Sequence, residues 1–163
     1  YEYPDQKIPE YISAMLPEDE LAKRGLPHSL YRLAATEPMV VPVGKVVRVQ
    51  VTGADVIHAF ALPAFGLKTD AIPGRLNETW FTAEKVGTYY GQCSELCGVD
   101  HAFMPIEIKV VSQADFDAWV ASKAPAAAPT PVAAPATDGA APALTPTAAP
   151  AVPVAGVAPA TAN

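Results

Sequence analysis

The composition of the last forty residues, 124–163, is the feature that most limits what this chain can fold into. The segment is almost entirely Ala, Pro, Thr and Val, with no aromatic residue and one charged residue, Asp138. Nine of the eighteen prolines lie in it, and proline interrupts the hydrogen bonding of helices and sheets. Alanine and threonine offer little apolar surface to bury. We therefore predict that residues 124–163 form a disordered tail and that residues 1–123 form one folded domain.

The predicted domain is acidic. The whole chain has a net charge of −6, and without Asp138 the charge of residues 1–123 is −5. Nucleic-acid-binding proteins carry clustered Lys and Arg, so this charge argues against a nucleic-acid partner and is compatible with a basic protein partner. No stretch approaches the about 20 apolar residues of a membrane-spanning helix. No signal peptide precedes the opening YEYPD, so we interpret the chain as a processed piece of a longer protein.

Short strand-like runs with period-two alternation begin near residue 39. In KVVRVQVT, Val47, Val49 and Val51 share one face of the predicted strand. Turns that contain glycine or proline separate the runs, a pattern that predicts an all-β sandwich or barrel. Short helices are expected at 17–24 and 112–123. The strand-like runs are 45–52, 56–62, 78–83, 87–92 and 104–111.

The only two cysteines lie in the segment GQCSELCGVDHAFMP, residues 91–105. A disulfide between Cys93 and Cys97 would suit an exported protein, but it leaves His101 and Met104 without a role. Zinc would accept thiolates and imidazoles, yet it has no use for a thioether. Thiolate, imidazole and a weak methionine ligand on a β-fold are typical of an electron-transfer copper site, which gives a role to one cysteine, to His101 and to Met104.

The additional cysteine extends the copper hypothesis to two metal ions. Each thiolate has enough lone pairs to bridge two coppers, and each copper then needs its own imidazole, of which His101 supplies one. His58, in the apolar run VIHAFAL, is the better candidate for the other, because His28 lies in a turn beside an acidic helix. Glu95 lies between the cysteines. Its carbonyl could reach a metal, and its carboxylate could bind Mg²⁺ or remain solvated.

Two segments resemble a known family. CSELCGVDHAFM, residues 93–104, resembles the dinuclear copper-A loop of cytochrome c oxidase subunit 2, and DVIHAFALPAFGLKTDAIPGR, residues 55–75, resembles the segment that carries the family's first histidine. The resemblance covers roughly residues 1–123. Within the family, the sequence looks most similar to that of the bacterial aa3-type oxidases. It implies a cupredoxin-like fold, a Greek-key β-barrel.

The resemblance also implies a specific set of copper ligands. Two thiolates would bridge both coppers, one imidazole would bind each copper, and a thioether and a backbone carbonyl would be weak ligands. The family uses the side chain at the position of Glu95 to bind magnesium where subunit 2 meets subunit 1. The copper ligands implied in this way are Cys93, Cys97, His58, His101, Met104 and the carbonyl of Glu95.

The function implied by the resemblance is electron transfer. The copper site would accept an electron from reduced cytochrome c and pass it to haem a of subunit 1, which also holds haem a3 and copper B and where oxygen is reduced. Subunit 3 would be a further partner. Glu2, Glu10 and Asp55 resemble positions that meet the basic face of cytochrome c. The family has two N-terminal membrane helices, not found in this sequence, and lies on the periplasmic face of the bacterial inner membrane.

Two other classes of copper protein are alternatives. The copper-A domain of a nitrous oxide reductase has a similar loop but is joined to a large propeller, which nothing in this sequence resembles. A copper-delivery protein of the Sco type also pairs Cys-x3-Cys with a distant histidine. In that class the histidine follows the cysteines on a thioredoxin-like α/β fold, whereas His58 precedes them in a β-rich chain.

Overall fold

The computed structural model describes residues 1–123, and the predicted tail, 124–163, lies outside the described residues. The described part is mostly strand with a short helix on either side, which confirms the predicted fold class. None of its helices combines the length and the apolar character needed to cross a membrane. The elements are α1 (Glu18–Lys23), β1 (Met39–Pro42), β2 (Val46–Val51), β3 (His58–Leu62), β4 (Leu67–Ala71), β5 (Asn77–Thr82), β6 (Gly87–Gln92), β7 (Pro105–Val111) and α2 (Gln113–Lys123).

The strands form three small sheets. β7 pairs antiparallel with β6 and parallel with β1, where Met39 lies opposite Ile108. β2 pairs antiparallel with β5, and β3 pairs antiparallel with β4. β3 also packs beside β6, and β4 packs beside β5, so the three sheets follow one another around a common interior.

One apolar core fills that interior. The predicted alternation holds in β2, where Val49 is buried while Arg48 and Gln50 are exposed. Burial of a side chain such as valine or leucine contributes about 1.5–3 kcal/mol to folding. The buried residues of this core come from β1, β2, β3, β5 and β7 and from the segment directly after β5: Met39, Val41, Val49, Phe60, Leu62, Phe81, Ala83, Ile106, Ile108 and Val110.

Gly91 sets the distance between β6 and β3. It is buried, and a Cβ at this position would overlap the backbone carbonyl oxygen of Ala61 in β3. Only glycine allows two backbones to approach this closely. Because Cys93 follows β6 and His58 begins β3, this contact also fixes the separation of two predicted metal ligands.

The two helices begin as their sequences suggest, with one difference. In α2, the backbone N–H of Asp115 donates to the Ser112 hydroxyl at 3.1 Å, as the predicted capping box requires. Phe116 then packs with Trp119 against the outer side of β1 and β7. Pro17 is the residue before α1 rather than its first residue, because its ψ of 150° is not helical.

Tyrosines attach the N-terminal arm, residues 1–38, to the sheet. The Tyr3 hydroxyl donates to the carbonyl of Val40 at 3.0 Å and accepts the N–H of Val40 at 2.8 Å. Within the arm, the Tyr11 hydroxyl donates at 3.1 Å to the carbonyl of Pro38, the residue directly before β1. Burial raises the pKa of Tyr3, and burial together with the nearby Tyr11 raises the pKa of Tyr1 to about 12. The arm is therefore attached through neutral tyrosine side chains.

Candidate metal centre

Three of the predicted ligands lie within reach of a single metal ion. The ligand atoms of His58, Cys93 and Cys97 are all within 4.8 Å of one another. Cys93 Sγ is 3.8 Å from Cys97 Sγ and 4.0 Å from His58 Nδ1. Neither cysteine forms a disulfide, so both thiols are free to bind a metal.

The other predicted groups adjoin this cluster. Cys97 Sγ is 3.5 Å from His101 Nδ1 and 3.6 Å from Met104 Sδ. The backbone carbonyl oxygen of Glu95 is 3.3 Å from Cys93 Sγ. The centre therefore has two halves. We call Cys93 and His58 the strand-held half, and we call Cys97, His101 and Met104 the loop-held half.

The strand-held half is positioned by the β-fold. His58 is the first residue of β3, and Cys93 directly follows β6 and is only 7% exposed. The N–H of Ser94 donates to the carbonyl of Ala59 at 3.3 Å, so the backbone contact between β6 and β3 continues past Cys93. These contacts and the close approach at Gly91 fix Cys93 and His58 relative to each other.

The loop-held half belongs to the cysteine loop, residues 93–104. A single 3-10 turn, His101–Phe103, carries the histidine. The N–H of His101 donates to the carbonyl of Gly98 at 3.2 Å, and the N–H of Phe103 donates to that of Asp100 at 2.9 Å. These two hydrogen bonds lie within the loop, so after the contact of Ser94 with Ala59 they shape the loop without attaching it to the sheet.

Asp55 orients His58. The carboxylate oxygen Oδ1 of Asp55 is 2.7 Å from His58 Nε2, which leaves Nδ1 on the side of Cys93. This hydrogen bond raises the pKa of His58. A carboxylate on the outer nitrogen is the usual partner of a metal-binding histidine. Asp55 was expected only to meet cytochrome c, although the Asp-x-x-His spacing was a signal for this contact.

The two thiols differ in acidity. Burial raises the pKa of Cys93, but hydrogen bonds with the backbone of Glu95 and Ala59 and with His101 and His58 outweigh burial and lower it to about 7. Burial and the neighbouring Cys93 raise the pKa of Cys97. Because metals bind the thiolate form, Cys93 is the thiol better prepared for the first metal–sulfur bond.

The donor groups fit a soft metal ion. Metal–thiolate bonds of about 2.3 Å and metal–imidazole bonds of about 2.0 Å limit ligands of one ion to about 4.6 Å between two sulfurs and about 4.3 Å between sulfur and nitrogen. The observed 3.8 Å, 4.0 Å and 3.5 Å satisfy these limits. Thiolates, imidazoles and a thioether suit copper better than they suit Mg²⁺ or Ca²⁺.

The carboxylate of Glu95 already faces a cation of this chain. Lys68 Nζ is 3.6 Å from Glu95 Oε2 and 2.8 Å from Asp70 Oδ1. A magnesium ion at Glu95 would therefore compete with this ammonium group. The role of Glu95 as a magnesium ligand therefore stays a prediction.

The remaining residues considered in the sequence analysis lie on the surface. Glu2 and Glu10 are exposed residues of the N-terminal arm, and neither forms an ion pair within the described part of the chain. The His28 side chain is 75% exposed, and its Nε2 is 3.0 Å from Glu18 Oε1. His58, and not His28, is thus the histidine beside the cysteines.

The chain is similar to several known proteins. A family model for the periplasmic domain of cytochrome c oxidase subunit II matches residues 1–111. The crystal structure of the periplasmic domain of subunit II of cytochrome oxidase (CoxB) of Bradyrhizobium japonicum is 60% identical, with a TM-score of 0.66, over 74% of this chain and 81% of that chain. The similarity supports the cupredoxin-like fold, which differs from the thioredoxin-like fold expected of a Sco-type protein.

Two further relatives are similar. Cytochrome c oxidase subunit 2 of Cereibacter sphaeroides is 50% identical over 133 residues, which are 74% of this chain and 44% of that protein. A second solved structure is 59% identical, with a TM-score of 0.62, over 74% of this chain and 79% of that chain. It is a mixed disulfide intermediate between a thioredoxin-like protein and subunit II of cytochrome c oxidase. The chain spans less than half the length of the curated relatives it matches.

Proposed function

Because the chain belongs to the family of cytochrome c oxidase subunit II periplasmic domains, we propose that it is the electron-accepting domain of such an oxidase. In this proposal it receives electrons from reduced cytochrome c and delivers them to haem a of subunit 1. Oxygen reduction takes place elsewhere in the complex. The observation that carries the proposal is that two free thiols and two imidazoles meet, with a thioether, at one end of the β-fold.

The residues of this centre would hold two copper ions. Cys93 and Cys97 would supply the shared thiolates, and the Nδ1 atoms of His58 and His101 would supply one imidazole each. Met104 and the carbonyl of Glu95 would be the weak ligands. When bound, the copper pair supplies a group that gains and loses one electron without a proton.

The protein's own part is to hold these ligands still. Asp55 fixes the ring of His58, and the packing of β6 on β3 at Gly91 fixes the backbone on either side of Cys93 and His58. Ligands held by rigid strands and oriented by a second layer of hydrogen bonds keep their geometry when charge changes. Rigidity of this kind lowers the rearrangement that accompanies electron transfer.

We propose that the centre also lies against other subunits. Two apolar side chains of the cysteine loop are largely exposed, Leu96 at 82% and Val99 at 93%, and exposed apolar side chains that cluster often mark a protein interface. Subunit 1 would cover them, and subunit 3 would complete the complex. At that contact Glu95 would bind magnesium once Lys68 turns toward Asp70 alone.

Cytochrome c would dock through acidic residues. Glu2, Glu10 and Asp55 are exposed, and the chain has a net charge of −6, so a basic partner is attracted. Such charges act mainly on the rate of association. We expect oxidation of cytochrome c by the assembled oxidase to slow as salt rises, and a flat salt response would contradict this docking role.

The location and the domain limits complete the proposal. The folded domain, residues 1–123, would lie on the periplasmic face of the bacterial inner membrane, attached through membrane helices of the parent subunit. The predicted tail, residues 124–163, lies outside the described residues.

The two thiols are also suited to thiol–disulfide exchange before copper is bound. They are 3.8 Å apart, and a 59% identical subunit II is known as a mixed disulfide with a thioredoxin-like protein. We propose that a thioredoxin-like dithiol reduces a Cys93–Cys97 disulfide through the same kind of intermediate. The dithiol is oxidised to a disulfide, and Cys93 and Cys97 are released as two thiols.

Copper analysis with electron paramagnetic resonance of the full chain tests the main proposal. We expect two coppers per chain and a hyperfine pattern from one electron shared equally by two copper nuclei. His58→Ala should abolish this pattern, and His28→Ala should retain it. One copper per chain, a pattern from a single nucleus, or loss of the signal in the His28 variant would contradict the proposal.

A further inference from the structure

Arg32 has an unusual backbone conformation for a residue with a large side chain. Its φ is +66°, in the left-handed region that glycine adopts without strain. This conformation costs an arginine free energy, so surrounding contacts have to maintain it. The contacts of Arg32 lead to the two ends of the cysteine loop.

The Arg32 side chain lies on the C-terminal end of the loop. Its guanidinium carbon is 4.6 Å from the centre of the Phe103 ring and 5.4 Å from the centre of the Tyr31 ring. A guanidinium over an aromatic face is attracted by the negative face of the ring and stays solvated at its edge. Phe103 lies between His101 and Met104, two ligands of the loop-held half.

The Arg32 backbone contacts the N-terminal end of the same loop. The side-chain amide of Gln92 donates to the carbonyl oxygen of Arg32 at 3.3 Å. Gln92 is the last residue of β6, directly before Cys93. One residue of the N-terminal arm thus touches the residue before the first ligand and the residue before the last ligand of the loop.

We propose that Arg32 is a positioning residue that clamps the cysteine loop at both ends through Gln92 and Phe103 and so slows the loss of copper from the loop-held half. The inference rests on the proposed function, because it takes copper as the ion that the loop binds. It adds a residue that no ligand motif contains. The left-handed backbone of Arg32 allows its carbonyl and its side chain to reach these two partners.

The first test measures copper release. The full chain is loaded with copper and mixed with excess chelator, and the decay of the copper absorption is followed. We expect Arg32→Gln to release copper about 2- to 5-fold faster, the change that a solvent-exposed cation–π contact provides. Arg24→Gln, which loses the same charge at an exposed position of the arm, should behave as the unsubstituted chain.

Coupling with Phe103 separates a clamp from a general charge effect. Phe103→Leu should also speed release, and adding Arg32→Gln to it should have little further effect, because the ring that Arg32 contacts is gone. Fully additive effects would overturn the proposal. Equal release from Arg32→Gln and from the unsubstituted chain would overturn it as well.

The second test needs no copper. Hydrogen exchange of the Phe103 amide is measured in the metal-free chain, with the Ile108 amide in β7 as the internal reference. Arg32→Gln should raise exchange at Phe103 about 2- to 5-fold and leave Ile108 unchanged. Equal acceleration at both amides would mean that Arg32 only stabilises the whole domain, and unchanged exchange at both would mean no clamp. If the chain bound no copper, the proposed function would fail, while this measurement would still decide on the clamp.

Discussion

The strand-held half and the loop-held half of the candidate metal centre contain similar candidate ligands but are held by different parts of the chain. Cys93 and His58 lie at the ends of two strands that touch through backbone atoms at Gly91 and Ala61. Cys97 and His101 lie on the part of the loop after Ser94, where the backbone hydrogen bonds of His101 with Gly98 and of Phe103 with Asp100 stay within the loop. The first half is therefore as stable as the sheet, whereas the second depends on side-chain contacts such as that of Phe103 with Arg32.

The difference shows how one site can combine a ligand that is fixed by the sheet with a ligand that is accessible from solvent. The buried Cys93, with its lowered pKa, is the fixed point of the centre. Cys97 is less buried than Cys93, so this half is the accessible one. Burial and the neighbouring Cys93 raise the pKa of Cys97. We expect substitutions in the strand-held half to affect folding and metal binding together. Substitutions in the loop-held half should affect metal binding more than folding.

The largest expected effect tests the strand-held half. Gly91→Ala places a Cβ against the carbonyl oxygen of Ala61, and a backbone overlap of this kind should cost about 3 kcal/mol or more of unfolding free energy. Gly98→Ala in the loop is the matched control. A Cβ there meets no neighbouring atom, and only its φ of +129° opposes alanine, so we expect a loss of about 1–2 kcal/mol. Urea unfolding of both variants measures the difference, and equal losses would remove the distinction between the halves.

The second prediction concerns the carboxylate behind His58. Asp55→Asn should weaken copper binding about 10- to 100-fold, because the amide no longer fixes the ring as the carboxylate does. Competition with a chelator of known affinity measures the change. Glu2→Gln removes an equal charge from an exposed residue and should leave the affinity unchanged. An unaltered affinity in the Asp55 variant would mean that this acid serves docking only.

The third prediction concerns the stability at alkaline pH that depends on the tyrosines of the N-terminal arm, the segment that also contains Arg32. In the folded chain the pKa of Tyr1 is about 12 and that of Tyr3 is raised by burial, whereas an unfolded tyrosine ionises near pH 10. The unfolded state therefore holds fewer protons above pH 10, and stability should fall by about 1.4 kcal/mol per pH unit for each tyrosine between pH 10 and 12. Below pH 10 both tyrosines are protonated in the folded and the unfolded state, so they should not make the free energy of unfolding depend on pH.

Urea unfolding as a function of pH checks this prediction, with Tyr3→Phe as the variant that removes one titrating group. That variant should be less stable at neutral pH, because it loses two hydrogen bonds with Val40, but its alkaline slope should be smaller. The same alkaline slope in both proteins would show that Tyr3 does not ionise during unfolding.

The smallest expected effect concerns Met104. Met104→Leu keeps the volume of the side chain, so stability should change by less than about 1.5 kcal/mol. The reduction potential of the copper-loaded chain should nevertheless shift, because a weak axial ligand tunes such sites. Met39→Leu in the core is the control, and it should leave the potential unchanged. If voltammetry shows that Met104→Leu and Met39→Leu both keep the reduction potential of the unsubstituted chain, Met104 is not a ligand of the copper site.

The sequence predicted those parts of the fold in which one face of an element is buried. β2 and β7 were found because buried valines and isoleucines alternate with charged or polar residues. The strand-like signal was expected to begin near residue 39, but β1 was not assigned as a separate strand, because its first three residues are all buried and leave no alternation. β4 was missed because LKTDA contains Lys68 and Asp70, which are uncommon in strands.

The candidate site divides in the same way. The residues of the cysteine loop were predictable because their spacing is local, and His58 was predictable because the ligand set lacked a second imidazole. The orienting contact of Asp55 had a local signal that was assigned to another role. The contact of Arg32 with Phe103 had no local signal in the sequence. It joins residues that are far apart in the chain, and it depends on a backbone conformation that arginine rarely adopts.

We expect the parallel pairing of β1 with β7 to form late in folding, because it places Met39 beside Ile108, far along the chain. The cysteine loop leads directly into β7, so we expect the loop to reach its final shape only when that strand pairs. Both thiols would be exposed until then, and a reductant would have to protect them from oxidation during that interval.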